Sequence, residues 1–295
     1  MKQYYLLINP KGGHKKGLEI FEKVKKVFDK SNIKLKVLHT EYAGHAFDLA
    51  NSLDYSDYDG LCAIGGDGTM YEMINGMLKR KDNQKIPIGL ITGGTGNSFM
   101  YDVKCLDPVE AAQRIVQHNL RPLDIAKVDA NGKTFYAFNI IGWGLATDAG
   151  KLAEKLRFFG GMRYDIASVI EVLKGKDRIA KLKIGNEVIY DNFIFVIGCN
   201  TIHTGKAMKM APIAKLDDGK IDLLIVRKTS RVNLLKLFPK LFSGDHIKSP
   251  LVEYRQVENF SIYVEETNDL TIDGEIIGFT PLKVQMIPRM VNVLV

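Results

Sequence analysis

Three apolar runs each break into glycine. Tyr4–Ile8 runs into Asn9-Pro10-Lys11-Gly12-Gly13, Leu61–Ile64 into Gly65-Gly66-Asp67-Gly68-Thr69, and Ile86–Ile91 into a loop containing GGTGNS. Helical spacing follows the first two. Ile20, Val24, Val27 and Phe28 share one side of segment 18–30 with lysines opposite, and Thr69 to about Leu78 reads as a second such segment. Leu35–His39 adds a strand and His45–Leu53 a helix. Strands alternating with helices are joined by right-handed crossovers, which gives a mostly parallel sheet covered on both faces. Ligands of such sheets bind beyond the carboxyl ends of the strands. All three glycine loops leave that one edge.

Beyond about Asp124 the pattern changes. Phe135–Ile141, Ala180–Ile184, Glu187–Tyr190, Asn192–Ile197, Ile221–Val226, Phe260–Val264 and Leu270–Ile272 read as strands, with turns such as 184–187 and 217–220 between many of them. Helical segments near 146–173 and 230–242 interrupt the series. This second half reads as a largely antiparallel sandwich or barrel.

The chain has 295 residues, 46% hydrophobic and 25% charged, the composition of a soluble globular protein. Its formal charge of +7 suits an anionic partner: a nucleotide, a nucleic acid or an acidic membrane surface. No nucleic-acid motif is present. Cys62, Cys105 and Cys199 form neither a disulfide framework nor a metal pattern, and the six histidines lack ligand spacing, so a cytoplasmic setting is expected. The apolar run after Met1 is too short for a signal peptide, and no run approaches 18 apolar residues.

Glycine lets backbone amides approach a ligand closely, and amides opening a helix form an anion site. NPKGG, GGDGT and GGTGN side by side would cradle a polyphosphate. Neither a Walker A loop nor a G-x-G-x-x-G fingerprint occurs. Thr69 and Glu72 also fit a capping box, which would explain those two residues but not Gly65, Gly66 and Gly68. A carboxylate at Asp67 would repel phosphate unless it bound Mg²⁺ or took a proton from an attacking hydroxyl, both of which phosphoryl transfer requires.

Asn9-Pro10 with Gly12-Gly13, then GGDGT-x-x-E-x-x-NG, then GGTGN, resemble the diacylglycerol-kinase catalytic domain superfamily, which includes bacterial lipid kinases, sphingosine kinases and ceramide kinases. The resemblance continues through RPLDIAKV (121–128), LDDGKIDLLIV (216–226) and IDGEIIGFTPLKVQMIP (272–288). It implies ATP-dependent phosphorylation of a lipid hydroxyl with Mg²⁺, in a cleft between an α/β domain and a β-sandwich. The implied boundaries are 1–125 for the ATP-binding domain, with 286–295 as a candidate return to it, and 126–285 for the lipid-binding sandwich. Asn9, Gly12, Gly13, Thr40, Gly66, Asp67, Gly68, Thr69, Glu72 and Thr95 would line the nucleotide. Glu275 matches the general base of the bacterial branch, Asp67 that of the sphingosine-kinase branch, and Asp124 a third acidic position at the cleft.

LDDGKID resembles a structural magnesium loop, with Asp218 as side-chain ligand and the carbonyls of Lys215 and Lys220; the same segment also reads as a type I′ hairpin turn at Asp218-Gly219. Gly142–Tyr164 resembles the sphingosine and ceramide kinases, so that Asp148 matches a contact to a sphingoid head and Arg157 and Arg163 match residues near the ATP phosphates. Trp143 and Asp148 equally suit a core aromatic and a helix N-terminal carboxylate. The segments 151–163 and 231–240 resemble basic amphipathic helices able to lie on an anionic membrane, and helices packed on the sandwich explain them equally well. An NAD-kinase-like enzyme and a catalytically inactive lipid-binding protein are the competing readings.

Overall fold

The first strand, Gln3–Ile8 (β1), is buried from Tyr4 onward, as a strand flanked on both edges in a covered parallel sheet must be. The computed structural model describes residues 1–10, 17–94, 96–156, 158, 163–205 and 208–295. After β1 come Gly17–Lys30 (α1), Lys34–His39 (β2), His45–Ser52 (α2), Gly60–Gly65 (β3) and Asp67–Leu78 (α3). Ile88–Thr92 (β4), Ser98–Asp102 (α4), Pro108–Gln117 (α5) and Leu120–Ala130 (β5) follow. Next are Lys133–Ala137 (β6), Ile140–Gly144 (β7), Leu145–Lys155 (α6), Arg163–Lys174 (α7), Arg178–Ile184 (β8) and Glu187–Cys199 (β9). The remainder is Ile221–Arg227 (β10), Arg231–Leu237 (α8), Lys240–Ser243 (α9), Glu253–Val257 (β11), Asn259–Tyr263 (β12), Asp269–Ile272 (β13), Glu275–Phe279 (β14) and Leu282–Leu294 (β15). The chain forms two compact units, Met1–Ile125 with Arg289–Val295, and Ala126–Pro288.

In the first unit the pairs among β1, β2, β3 and β4 are parallel, and β5 also pairs with β15. The order is β2-β1-β3-β4, with the end of β15 beside β4. Register aligns Ile8 with His39 and with Ile64, and Gly65 with Thr92, so the segments after β1, β2, β3 and β4 leave at one level. Helix α1 buries Val24 and Phe28 and pairs Glu19 with Lys23 and Lys25 with Asp29 on its exposed side. Helix α5 has a start signal that periodicity alone does not pick out: Asp107 accepts from the amides of Val109 and Glu110, with Pro108 as the first helical residue.

The second unit is an antiparallel β-sandwich. Strand β9 pairs with β8 along its first half and with β7 and β10 along its second. Strands β13 and β14 extend from β7, β12 joins β8, and β11 joins β10. Phe195, Ile197, Leu224 and Val226 share one core with Leu234 and Leu237 of α8.

Three expectations are corrected here. Phe135–Ile141 is not one strand but β6 and β7, because the Asp273 carboxylate takes the amides of Phe138, Asn139 and Ile140 out of the ladder. Conversely, 187–190 and 192–197 fuse into β9, since Asp191 and Asn192 stay in register with Ala180 and Ile179. Segment 217–220 is no hairpin, because no strand leads into it; Lys220 N donates to Asp218 at 3.1 Å, an Asx-type turn. The Asp-Gly hairpin lies instead at Asp273-Gly274, whose φ values of 49° and 90° suit a type I′ turn between Ile272 and Glu275.

Candidate functional site

At the carboxyl edge of the parallel sheet, the glycines of two loops are packed against each other. A Cβ on Gly66 would stand 2.4 Å from the Gly96 carbonyl oxygen, and one on Gly94 would stand 2.6 Å from Gly66 Cα. The amides of Gly93 and Gly94 donate to Gly65 O at 2.8 and 2.9 Å, and Asp67 N donates to Gly96 O at 3.0 Å. Gly65 has a further neighbour, since its Cβ would meet Thr69 Oγ1 at 2.6 Å. These glycines are therefore required first by loop-on-loop contact.

Asp67 opens α3 and is 8% exposed. Its Oδ2 accepts from Ser98 N at 2.7 Å and its Oδ1 from Phe99 N at 3.2 Å, so both oxygens hold the start of α4. Burial raises this carboxyl above the usual carboxylate range, and the two amides oppose that rise. Asn97 lies in the same turn, its Nδ2 donating to Gly94 O, while its buried Oδ1 has no partner among the described residues.

The capping box does not form. Helix α3 begins at Asp67 with Gly66 as its cap, which puts Thr69 inside the first turn. Glu72 reaches instead to α2, accepting from Gly44 N at 2.9 Å and Ala46 N at 3.1 Å. Thr40 follows β2 directly, and its amide donates to Ile8 O at 2.9 Å. Asn9 and Pro10 follow β1, with the Asn9 carbonyl 2.8 Å from where a Gly17 Cβ would stand. Gly68 is the second residue of α3. Lys11, Gly12, Gly13, Thr95 and Arg157 lie outside the described residues.

Asp124 is fully buried on β5, and its Oδ1 accepts from Arg289 N at 2.6 Å. Arg289 has φ 51°, a left-handed conformation that costs energy for a residue with a side chain. The carboxylate thus pins the backbone where β15 enters the first unit.

In the second unit, Glu275 begins β14 immediately after the Asp273-Gly274 turn and is exposed. Asp273, which the sequence does not single out, fixes that turn with three amide bonds of 2.9 Å each. A lone acid between Ile272 and Gly274 was the available signal. Asp148 sits in the first turn of α6, where its Oδ2 pairs with Arg178 Nη2 at 2.6 Å. Trp143 is fully buried and donates from Nε1 to Asn268 Oδ1, so it is a core aromatic. Arg163 begins α7, 3.5 Å from Glu154 and stacked over Tyr164. Lys215, Asp218 and Lys220 lie in the turn before β10. On β10 the fully buried Asp222 accepts from Tyr254 and Gln256 through Oδ1, while its Oδ2 has no partner among the described residues. Burial raises the Asp222 carboxyl. Among the described residues no group of three or more His, Cys, Asp or Glu converges as metal ligands would.

An α/β unit with backbone loops on one sheet edge, joined in sequence to an antiparallel sandwich, is the scaffold of a lipid-kinase family. Residues 3–128 match the diacylglycerol kinase catalytic domain, and residues 139–295 match the YegS C-terminal NAD kinase beta sandwich-like domain. The chain belongs to the diacylglycerol kinase catalytic domain family, in the form that carries this β-sandwich. Sphingosine kinase 1 of Arabidopsis thaliana is 29% identical over 310 residues, covering 88% of this chain. This chain spans 64% of that relative's length. The diacylglycerol kinase of Bacillus subtilis is 29% identical over 302 residues, covering 95% of this chain and 92% of its own. The crystal structure of a diacylglycerol kinase from Bacillus anthracis matches with a TM-score of 0.81 at 24% identity, covering 99% of this chain and 96% of that one, a likeness of fold.

Proposed function

We propose that the chain is a kinase that transfers the γ-phosphoryl group of ATP to a primary hydroxyl of a lipid such as diacylglycerol or a sphingoid base. The observation that carries this is the shared level of the β3 and β4 ends, which sets the N-terminus of α3 and its glycine loop at one edge of the first unit. Backbone amides and helix N-termini are what polyphosphate recognition needs. Asn9, Pro10, Thr40, Gly65, Gly66, Gly68 and Thr69 serve the nucleotide in this reading. So do Lys11, Gly12, Gly13 and Thr95. Glu72 contributes by holding α2, and Arg157 and Arg163 are the basic residues proposed for the phosphates.

The lipid hydroxyl oxygen attacks Pγ, the bond from Pγ to the β,γ-bridging oxygen breaks, and ADP leaves. The hydroxyl proton passes to a carboxylate. Glu275 suits that role because it is exposed on a turn fixed by Asp273, whereas both Asp67 oxygens already accept amides. Asp67 then shapes the loop that receives the phosphates, and Asp124 holds the end of β15. Asp148 meets the lipid head.

Magnesium, when bound with ATP, neutralises phosphate charge. A second, structural ion suits the turn before β10, because the Asp218 carboxylate and the Lys215 and Lys220 carbonyls are hard oxygen donors. No helix among the described residues is long and apolar enough to cross a membrane. In this reading the enzyme meets its lipid peripherally, from the cytoplasm.

The test is purified protein with labelled ATP and Mg²⁺ against separate panels of diacylglycerol, sphingoid base, ceramide and NAD. Label in a lipid supports the reading. Label in NAD alone overturns it in favour of a small-molecule kinase, and label in nothing favours a binding protein.

A further inference from the structure

Segment 230–243 is apolar on two opposite sides. Leu234 and Leu237 of α8 are buried in the sandwich core and Leu241 packs on it, as a surface helix requires. The other side carries Val232, Leu235 and Phe242 at 58%, 38% and 43% exposure. These three, with Pro239 between them, follow helical spacing through α8 and α9. Leu173, at the end of α7, is 49% exposed, and α7 meets this segment where Arg231 Nη2 donates to Lys174 O at 3.2 Å.

Charge decides what covers this ridge. Between Asp222 and Asp245 the chain has no acidic residue and five cations: Arg227, Lys228, Arg231, Lys236 and Lys240. Arg227 is paired with Asp191 and Glu253, and Lys228 with Asp177. Asp245 is held by Lys248 at 2.7 Å. Lys236 and Lys240 make no ion pair among the described residues, and both flank the apolar stripe. A second copy of the ridge would bring like charges together. A neutral protein partner would leave both lysines unpaired.

We infer that the outer face of α8 and α9 is a docking ridge for an anionic lipid bilayer. Val232, Leu235 and Phe242 enter the boundary between headgroups and acyl chains, while Lys236 and Lys240 meet anionic headgroups. Two signals combined give stable but reversible attachment, where either alone is marginal. The inference deepens the reading of the chain as a lipid kinase, because it names the surface through which the enzyme reaches its substrate.

The experiment is co-sedimentation of the whole protein with vesicles of phosphatidylcholine alone and of phosphatidylcholine with phosphatidylglycerol, alongside light scattering of the protein by itself. Binding is expected to the anionic vesicles only, weakening with salt. A K236A/K240A variant should bind about 25-fold more weakly, near fivefold for each cation removed. A V232S/L235S/F242S variant should lose at least about 30-fold through the apolar contact. Both variants should phosphorylate a short-chain, water-dispersed lipid at the wild-type rate. Wild-type binding to neither vesicle, or undiminished binding by the triple-serine variant, overturns the ridge. A wild-type dimer that this variant dissociates, with no vesicle binding, also overturns it in favour of self-association. Anionic-vesicle binding without phosphorylation of any lipid leaves the ridge standing and overturns the kinase reading instead.

Discussion

The GGDG loop of the α/β unit and the IDGE turn of the sandwich are alike in sequence, each an aspartate set against glycine. Their aspartates also do similar work. Asp67 gathers two amides at the start of α4, and Asp273 gathers three at the break between β6 and β7. The difference lies in the residue that follows. After Asp67 the chain turns into helix, with no second acid until Glu72, which holds α2. After Asp273-Gly274 comes Glu275, exposed at the head of a strand. A buried carboxylate held by amides shapes backbone; an exposed carboxylate beside it is the one proposed above for the chemistry.

The largest effect that could break this comparison is on stability. Replacing Asp273 by Ala strands three buried amides and should lower unfolding free energy by about 3–5 kcal/mol. An unchanged denaturant midpoint would mean that Asp273 does not organise the turn. Next come Glu275→Gln, expected to lower kcat about 10²-fold or more by loss of the base, and Asp67→Asn, expected to lower it by about as much through a displaced phosphate loop. They should part company in melting temperature: Asp67→Asn lowers it more than Glu275→Gln does, because it loses an acceptor at the start of α4. Equal melting shifts would erase the distinction between the two regions. Gly66→Ala should cost about 1–3 kcal/mol, because its methyl group would collide with Gly96 O. Asp148→Ala should reduce phosphorylation of a sphingoid base more than of diacylglycerol, as initial rates on each would show; equal losses would leave Asp148 as a structural partner of Arg178.

The smallest effect is a pH dependence. Burial raises the Asp222 carboxyl above its ordinary 3.8, so the folded state binds that proton more tightly than the unfolded state. Its stabilising contribution is complete below about pH 4 and is lost as pH rises through the elevated value. Asp222→Asn should flatten that stretch of a stability–pH curve, and an unaltered slope would assign it to another group.

The fold class was legible because its signals are local. Continuous apolar runs such as Leu61–Ile64 mark strands covered on both faces, and glycine marks where they end. The break at Phe138-Asn139 was not legible, since its cause is an aspartate 134 residues away from Asn139. The capping box misled for the same reason: Thr69 and Glu72 have the right spacing, but Glu72 answers to α2, which folds up beside it. Asp218-Gly219 and Asp273-Gly274 present identical dipeptides. Only the latter has strands on both sides, and strand pairing is a property of distant partners. In the site, residue types pointed to phosphate chemistry, yet the contacts that hold Asp67 belong to Ser98 and Phe99, whose amides carry no side-chain signature.

The mutual packing of Gly66 with Gly94 and Gly96 has a consequence for engineering. Neither loop is an exchangeable cassette: a donor sequence grafted at 65–69 meets the backbone of Gly94 and Gly96 before it meets any ligand. Altered nucleotide preference should therefore be sought in libraries that vary both loops together, because a beneficial change in one will often be masked until its counterpart moves.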